Sequence, residues 1–259
     1  MNIVKKKGKR EETIVFIHGN SSSSRVFNKI FTENELPFNL ISFDLPGHGK
    51  SPHNNEYSFE IFKGASLDLI RNIERDVLLI GHSLGGHLAL EIAQEIPNLK
   101  GLVISGAPPF EKPMVLNEVF LPNPNIDTLF SENPSEDDIK KLLNSIVKNK
   151  TAIPIIKDDL LLTDSKVRSA LAVDLSKEET FLDEKAIFLS LPVKKFIIHG
   201  EDDSLINLNY LHKLKHESNN SFDILMIKDC GHYPTIEQPE KFLQHLLYIS
   251  IDTFQEVVQ

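Results

Sequence analysis

Ser83 stands between two glycines in the stretch Val77-Leu78-Leu79-Ile80-Gly81-His82-Ser83-Leu84-Gly85-Gly86-His87-Leu88-Ala89. A serine hydroxyl attacks a carbonyl carbon only when a base takes its proton and its neighbours hold it in reach. The flanking residues supply the second condition. Val77 to Ile80 is an apolar run that reads as a strand buried on both faces. Leu84 to Ile96 carries apolar residues at helical spacing. A strand that turns directly into a helix strains its central residue, and residues two positions to either side must lack side chains. Gly81 and Gly85 meet that demand. The hydroxyl of Ser83 then stands above the sheet edge, with the positive end of a helix beside it.

The base must be one of ten histidines. His18 precedes a glycine loop and reads as its brace. His82 and His87 flank the serine but leave the backbone in other directions. His199 ends a strand, where it packs or bonds locally, and His212, His216 and His245 fall on helices. His232 lies in Asp229-Cys230-Gly231-His232-Tyr233-Pro234, after the last strand, from which an imidazole leans over the sheet edge toward Ser83. An orienting acid is available in Gly200-Glu201-Asp202-Asp203, although carboxylates there also suit the cap of a following helix. Glu111, beyond Pro108 and Pro109, is set aside. The charge that develops on the carbonyl oxygen needs two backbone N–H groups. Leu84 offers one and Asn20, in His18-Gly19-Asn20, the other. Cys230 reads as a small apolar filler at a strand end.

The elements that would position these groups alternate. Strands are expected at Thr13–Ile17, Phe38–Phe43, Val77–Ile80, Leu99–Ser105, Lys195–His199 and Phe222–Ile227. Helices are expected at Arg25–Phe31 with Ser24 as N-cap, Phe59–Ile73, Leu84–Ile96, Ser204–Lys215 and Pro239–Ile251. Such alternation implies an α/β fold with a mostly parallel twisted sheet covered by helices on both faces. Functional groups of such sheets gather at the carboxyl ends of the strands. His18-Gly19-Asn20, Ser83, Asp202-Asp203 and His232 all fall there. Between residues 110 and 191 the strand runs vanish. Prolines break the entry, and helices are expected at Ser135–Val147, Ile155–Leu162, Lys166–Leu175 and Glu178–Leu189. The chain therefore divides into core residues 1–109, a helical insertion over 110–191, and core residues 192–259.

Composition narrows the partners. The 259 residues are 41% hydrophobic with a net charge of −9, which argues against a nucleic-acid surface and suits a small neutral substrate. The one cysteine excludes an internal disulfide framework and fits a reducing compartment. No secretory h-region or membrane-spanning run is present, so the expected location is the cytoplasm, with no membrane partner. The basic residues Lys5 to Arg10 read as a solvated turn between two short strands, with Gly8 at the bend. No histidine–carboxylate spacing typical of a metal site occurs, and neither metal nor organic cofactor is expected.

His18-Gly19-Asn20, Asp44-Leu45-Pro46-Gly47-His48-Gly49-Lys50-Ser51, Gly81 to Gly86, Gly200 to Asp203 and Gly231-His232 together resemble the α/β-hydrolase fold enzymes of the esterase, lactonase and peptidase group. The resemblance spans nearly the whole chain. It implies a Ser83, Asp203 and His232 triad, with Asp203 chosen over Asp202, and an inserted helical cap at 110–191. The chain departs from that group at its start, where few residues precede the first core strand and the usual leading hairpin is expected to be shortened. Three segments are similar to an N-acyl-homoserine lactone lactonase of this fold: 18–23, 44–51 and 101–109. The H-G-N start also resembles haloalkane dehalogenases, but those use a carboxylate nucleophile where this chain has Ser83.

The expected activity is hydrolysis of an ester or lactone through an acyl-enzyme, N-acyl-homoserine lactones included. General carboxylesterase or aminopeptidase-like action on the same scaffold is the alternative. A non-catalytic small-ligand receptor is the alternative from another class. Phe110, Phe120, Phe130, Leu142, Ile146, Phe181 and Phe188 supply apolar surface for an acyl chain, although more than half of them are expected to join cap to core. The insertion holds no tyrosine or tryptophan, so other side chains must contact the ligand. The sequence does not determine the oligomeric state.

Overall fold

In a computed structural model describing residues 1–33 and 36–255, the apolar runs become strands and the amphipathic stretches become helices. In chain order the first half gives β1 (Ile3–Lys6), β2 (Thr13–Ile17), α1 (Asn28–Thr32), β3 (Asn39–Phe43), α2 (Phe59–Ile70), β4 (Val77–His82), α3 (Leu84–Ile92) and β5 (Leu99–Ser105). Five helices follow before the sheet resumes: α4 (Leu116–Val119), α5 (Glu136–Ile146), α6 (Ile153–Leu162), α7 (Ser165–Leu175) and α8 (Glu184–Ser190). The chain then forms β6 (Lys194–Gly200), α9 (Leu208–Glu217), β7 (Asp223–Ile227), α10 (Pro234–Glu237) and α11 (Pro239–Phe254). Residues 34–35 and 256–259, which belong to the two expected core units, lie outside the described residues.

The strands form one sheet in the order β1-β3-β2-β4-β5-β6-β7. Every pairing is parallel except β1 with β3. All residues of β2 and β4 are buried, as expected of central strands covered on both faces. Alternate residues serve opposite faces. Val15, Ile17, Val77 and Leu79 join α2 and α3 on one side. Ile14, Phe16, Leu78 and Ile80 join Phe27 and α11 on the other.

Several expectations need correction. β1 and β2 flank Gly8 but are not neighbours, because β3 lies between them. Residues 7–12 therefore cross a strand rather than close a hairpin. The Arg25–Phe31 helix is split into a 3-10 turn over Ser24–Phe27 and α1, and its cap is Ser23, whose Oγ accepts Arg25 N at 3.2 Å. The expected Glu178–Leu189 helix starts only at Glu184. Glu91 on α3 accepts the Leu182 N–H at 2.7 Å and so draws that donor out of any helix. The expected Ser204–Lys215 helix starts at Leu208, because Phe120 bridges Ile206 and Leu205 O accepts Leu121 N at 2.8 Å.

The segment between β5 and β6 is tied to the sheet largely by carboxylates. Asp159 accepts Ser23 Oγ at 2.8 Å and Arg25 Nη1 at 3.1 Å. Asp164 accepts Tyr57 OH at 2.8 Å. Asp174 accepts Phe59 N at 2.7 Å, and Glu184 accepts His87 Nδ1 on α3 at 2.9 Å.

Candidate active site

Ser83 has φ 51° and ψ −122°, a left-handed strained conformation outside the regions open to most residues. Close approach of backbone to backbone enforces it. A Cβ on Gly81 would lie 2.1 Å from Gly85 O, and one on Gly85 would lie 2.2 Å from Ile17 O. Any side chain at either position would push β4, α3 and β2 apart. Ser83 N donates to Ser105 O at 2.7 Å, which fastens the turn to β5.

The loop after β7 brings His232 to the same edge. Its N–H donates to Ile146 O at 2.9 Å. Glu237 on α10, itself buried, accepts Gly231 N at 3.1 Å and Tyr233 N at 2.9 Å. The same carboxylate accepts Lys148 N at 2.7 Å and Asn149 N at 2.9 Å. His82 Nε2 donates to His232 O at 2.7 Å. Burial and the neighbouring His232 push the His82 ring down to about 3, so it serves as a neutral donor. Glu237 and the backbone role of His82 escape a reading of the sequence, because their partners are main-chain atoms far along the chain.

Asp203, not Asp202, meets the imidazole. His232 Nδ1 donates to Asp203 Oδ2 at 2.9 Å, and Asp203 Oδ1 accepts Leu205 N at 2.9 Å. Asp202 instead pairs with Lys148 near solvent. Burial works against ionisation of both His232 and Asp203, but each offsets the effect in the other. The Asp203 charge and hydrogen bond hold His232 above the usual 6.5. The His232 charge and hydrogen bond hold Asp203 below the usual carboxylate range.

His18 fixes the first loop. Its Nδ1 donates to Gly19 O at 2.8 Å, and its Nε2 accepts Leu45 N at 2.9 Å. Asn20 Nδ2 donates to Leu129 O at 2.8 Å, a bond that spans from this loop to the segment above the sheet. Among the described residues no protein acceptor takes the N–H of Asn20 or of Leu84. Both residues line the same cavity as Ser83 and His232. That cavity has a volume of about 680 Å³, within the range of small-molecule sites.

Residues 14–245 match the alpha/beta hydrolase family. The chain belongs to this family. Its similarity to an uncharacterized Bacillus subtilis hydrolase, YugF, is 21% identity over 248 residues, covering 91% of this chain and 88% of that protein. A pimeloyl-[acyl-carrier protein] methyl ester esterase of Vibrio vulnificus is 24% identical over 246 residues, with 90% and 92% covered. Among solved structures, a variant of the N-acyl homoserine lactonase AidH complexed with N-hexanoyl homoserine lactone superposes with a TM-score of 0.86. It is 25% identical, with 98% of this chain and 94% of that one covered.

The cavity of this alpha/beta hydrolase is largely apolar, and it corrects the list of residues expected there. Phe110, Phe120, Phe130 and Phe181 line it. Leu142, Ile146 and Phe188 do not. Leu142 and Ile146 lie on the buried face of α5, inside the apolar cluster that joins this segment to the sheet. Phe188 packs edge-on against Phe222, with ring centroids 4.9 Å apart, beside the foot of β7. Three of the seven thus serve as glue, fewer than the majority expected, and four face the cavity. Leu116, Leu129, Leu171, Leu175, Leu205 and Ile206 line the cavity instead. Leu116, Leu129, Leu171 and Leu175 sit on helical turns, and Leu205 and Ile206 in the bridge to Phe120 and Leu121, so nothing local marks them as facing a ligand.

Cys230 is buried, and burial raises its thiol well above its usual range. It packs with Ile198, Ile227 and Phe242 on the face away from the cavity. Among the described residues no helix is long and apolar enough to cross a membrane.

Proposed function

We propose that this protein hydrolyses carboxylic esters or lactones through an acyl-serine intermediate. The observation that carries the proposal is the Asp203–His232 hydrogen bond of 2.9 Å beside a strained Ser83 on one apolar cavity. Ser83 Oγ attacks the carbonyl carbon as His232 Nε2 takes its proton. Asp203 holds the imidazole with Nδ1 protonated and stabilises the imidazolium that forms. The Leu84 and Asn20 N–H groups, which donate to no protein acceptor among the described residues, meet the oxyanion. Collapse breaks the ester C–O bond, and His232 gives its proton to the leaving alkoxide. In a lactone that alkoxide stays attached to the acyl group. Water then attacks the acyl-enzyme, His232 again takes the proton, and the free acid leaves.

The apolar walls favour an acyl chain, since each buried methylene contributes up to ~0.8 kcal/mol. Within this class we place N-acyl-homoserine lactones first, on the segments 18–23, 44–51 and 101–109 and on the likeness to a lactonase solved with such a ligand. The covering segment holds no tyrosine or tryptophan, so ligand contacts there come from Phe, Leu, Ile and a few polar groups. Location in the cytoplasm and division into core and cap at 110–191 belong to the same proposal.

The test is a substrate panel with Ser83→Ala as control. Expected is turnover of homoserine lactones and of p-nitrophenyl esters, rising with chain length until the cavity fills. Ser83→Ala should lower kcat by roughly 10⁴–10⁶ with the fold retained. Preference for aminoacyl arylamides would make it a peptidase. Failure of a fluorophosphonate to label Ser83, with no turnover on any ester, would leave a receptor.

A further inference from the structure

A buried imidazole faces the proposed acyl cavity without a role in the triad. His87 lies on α3 four residues after Ser83, so it stands about 6 Å further along the helix on the same side. It lines the cavity, and its side chain is only 9% exposed. Its Nδ1 lies 2.9 Å and 3.1 Å from the two carboxylate oxygens of Glu184, which is wholly buried outside the cavity. A carboxylate only accepts, so Nδ1 carries the proton and the tautomer is set. The Phe110 ring stacks on the imidazole, with centroids 4.3 Å apart and planes 21° from parallel. Phe181 meets it edge-on at 6.3 Å. The carboxylate and the two rings hold the imidazole in this orientation. Its other nitrogen, Nε2, has no protein partner among the described residues. An unbranched alkyl chain filling the cavity would take water from Nε2 and return nothing, which is costly for a buried polar atom.

We propose that His87 is a specificity residue that selects acyl chains bearing a hydroxyl several carbons from the scissile carbonyl, a step that rests on the ester or lactone hydrolysis proposed above. A hydroxyl both donates and accepts. It therefore pairs with Nε2 whether the ring is neutral or protonated, whereas a keto oxygen pairs only with a protonated ring. Glu184 acts through His87 as a positioning residue. Simple bracing of α3 against α8 would also bury this pair, but bracing gives no reason for a preference among substrates.

The test compares methyl octanoate with methyl 3-, 6-, 7- and 8-hydroxyoctanoate, followed by pH-stat. These positions avoid spontaneous closure to five- and six-membered lactones. Wild-type kcat/KM should favour one hydroxy position over the plain ester by roughly tenfold. In His87→Leu that ratio should fall to about one or below, and His87→Gln, which can still pair with a hydroxyl, should restore part of it. Glu184→Gln should weaken the ratio and spread it over positions. Equal ratios in wild type and His87→Leu overturn the proposal, and so does an absence of any hydroxyl preference in wild type while methyl octanoate is cleaved. No cleavage of any ester instead overturns the proposed function. Thermal-shift titration with 2-octanone and its 7- and 8-hydroxy derivatives reads the same preference without catalysis. Should His87→Leu not fold, the His87→Gln and Glu184→Gln ratios decide.

Discussion

The carboxyl rim of the sheet and the segment between β5 and β6 are built on different principles. At the rim, main chain touches main chain. Gly81 against Gly85, and Gly85 against Ile17, leave no room for a methyl group. The strain at Ser83 follows from its immediate neighbours. The covering segment meets the rim by main chain at Gly231, where an added Cβ would lie 2.4 Å from Ile146 O, but much of its attachment is of another kind. There carboxylates reach N–H and O–H groups far away in sequence: Asp159 to Ser23, Asp164 to Tyr57, Asp174 to Phe59 and Glu184 to His87. Hard-sphere contact is unforgiving and local. Hydrogen-bonded side chains tolerate substitution and give the pocket its shape from a distance.

If the rim is the rigid partner, its variants should cost most. Asp203→Asn should lower kcat by roughly 10³–10⁴, because the imidazole loses both its tautomer and its counter-charge. The wild-type kcat/KM should rise with pH as His232 loses its proton, with a midpoint above 6.5 because Asp203 raises it. In Asp203→Asn that midpoint should move down; a pH–rate profile unchanged in position would separate Asp203 from His232. Gly85→Ala comes next. With its Cβ 2.2 Å from Ile17 O, displacement of Ser83 should lower kcat about 100-fold, together with a fall in Tm. Full activity there would mean that the turn is not sterically held.

Glu237 joins the two regions, since one carboxylate serves the His232 loop and residues 148–149 together. Glu237→Gln should cost about 1–3 kcal/mol in urea denaturation, from N–H groups left unpaired. An unchanged midpoint would show that the loop holds itself.

Asp159 tests the cover alone. Burial raises its carboxyl from 3.8 to about 6, against the pull of Ser23 and Arg25. Between those values the folded chain holds a proton that the unfolded chain has released, so this group makes stability fall as pH rises through the window. Below it the contribution vanishes, and above it the cost is complete. Asp159→Asn should flatten the slope of Tm between about pH 4 and 6, and raise stability slightly, by up to ~1 kcal/mol, near pH 8. A large loss at pH 8 would show that the charge is needed. The smallest effect belongs to Cys230→Ser. The residue lies on the far face of the sheet from the cavity, so kcat/KM should stay within about twofold of wild type; a loss beyond tenfold in folded protein would refute the filler role.

Legibility follows the same division. The strand runs and the G-x-S-x-G turn could be read because each depends on residues within a few positions. The α5 helix was equally plain, with Ser135 and Asp138 forming a reciprocal cap. Starts that depend on distant atoms could not be read. The Leu182 N–H is claimed by Glu91, and Leu205 and Ile206 are held against Phe120 and Leu121, so α8 and α9 begin later than their periodicity suggests.

By itself the sequence determined a parallel sheet with two covered faces, a strained serine at a strand end, and a histidine and a carboxylate delivered by later strand ends. Those features arise from periodicity, chain order and the volume of a glycine, which are properties of short stretches. The tertiary structure put Asp203, which the family resemblance favours over Asp202, against His232; it alone decided that the side chain of Asn20 bonds Leu129 O and which phenylalanines face the cavity. Phe110 and Phe188 are equally buried and equally apolar, yet one lines the pocket and the other packs on Phe222. An apolar side chain gains the same free energy against either surface, because the hydrophobic effect has no direction. The packing of whole elements, not the residue, selects between them.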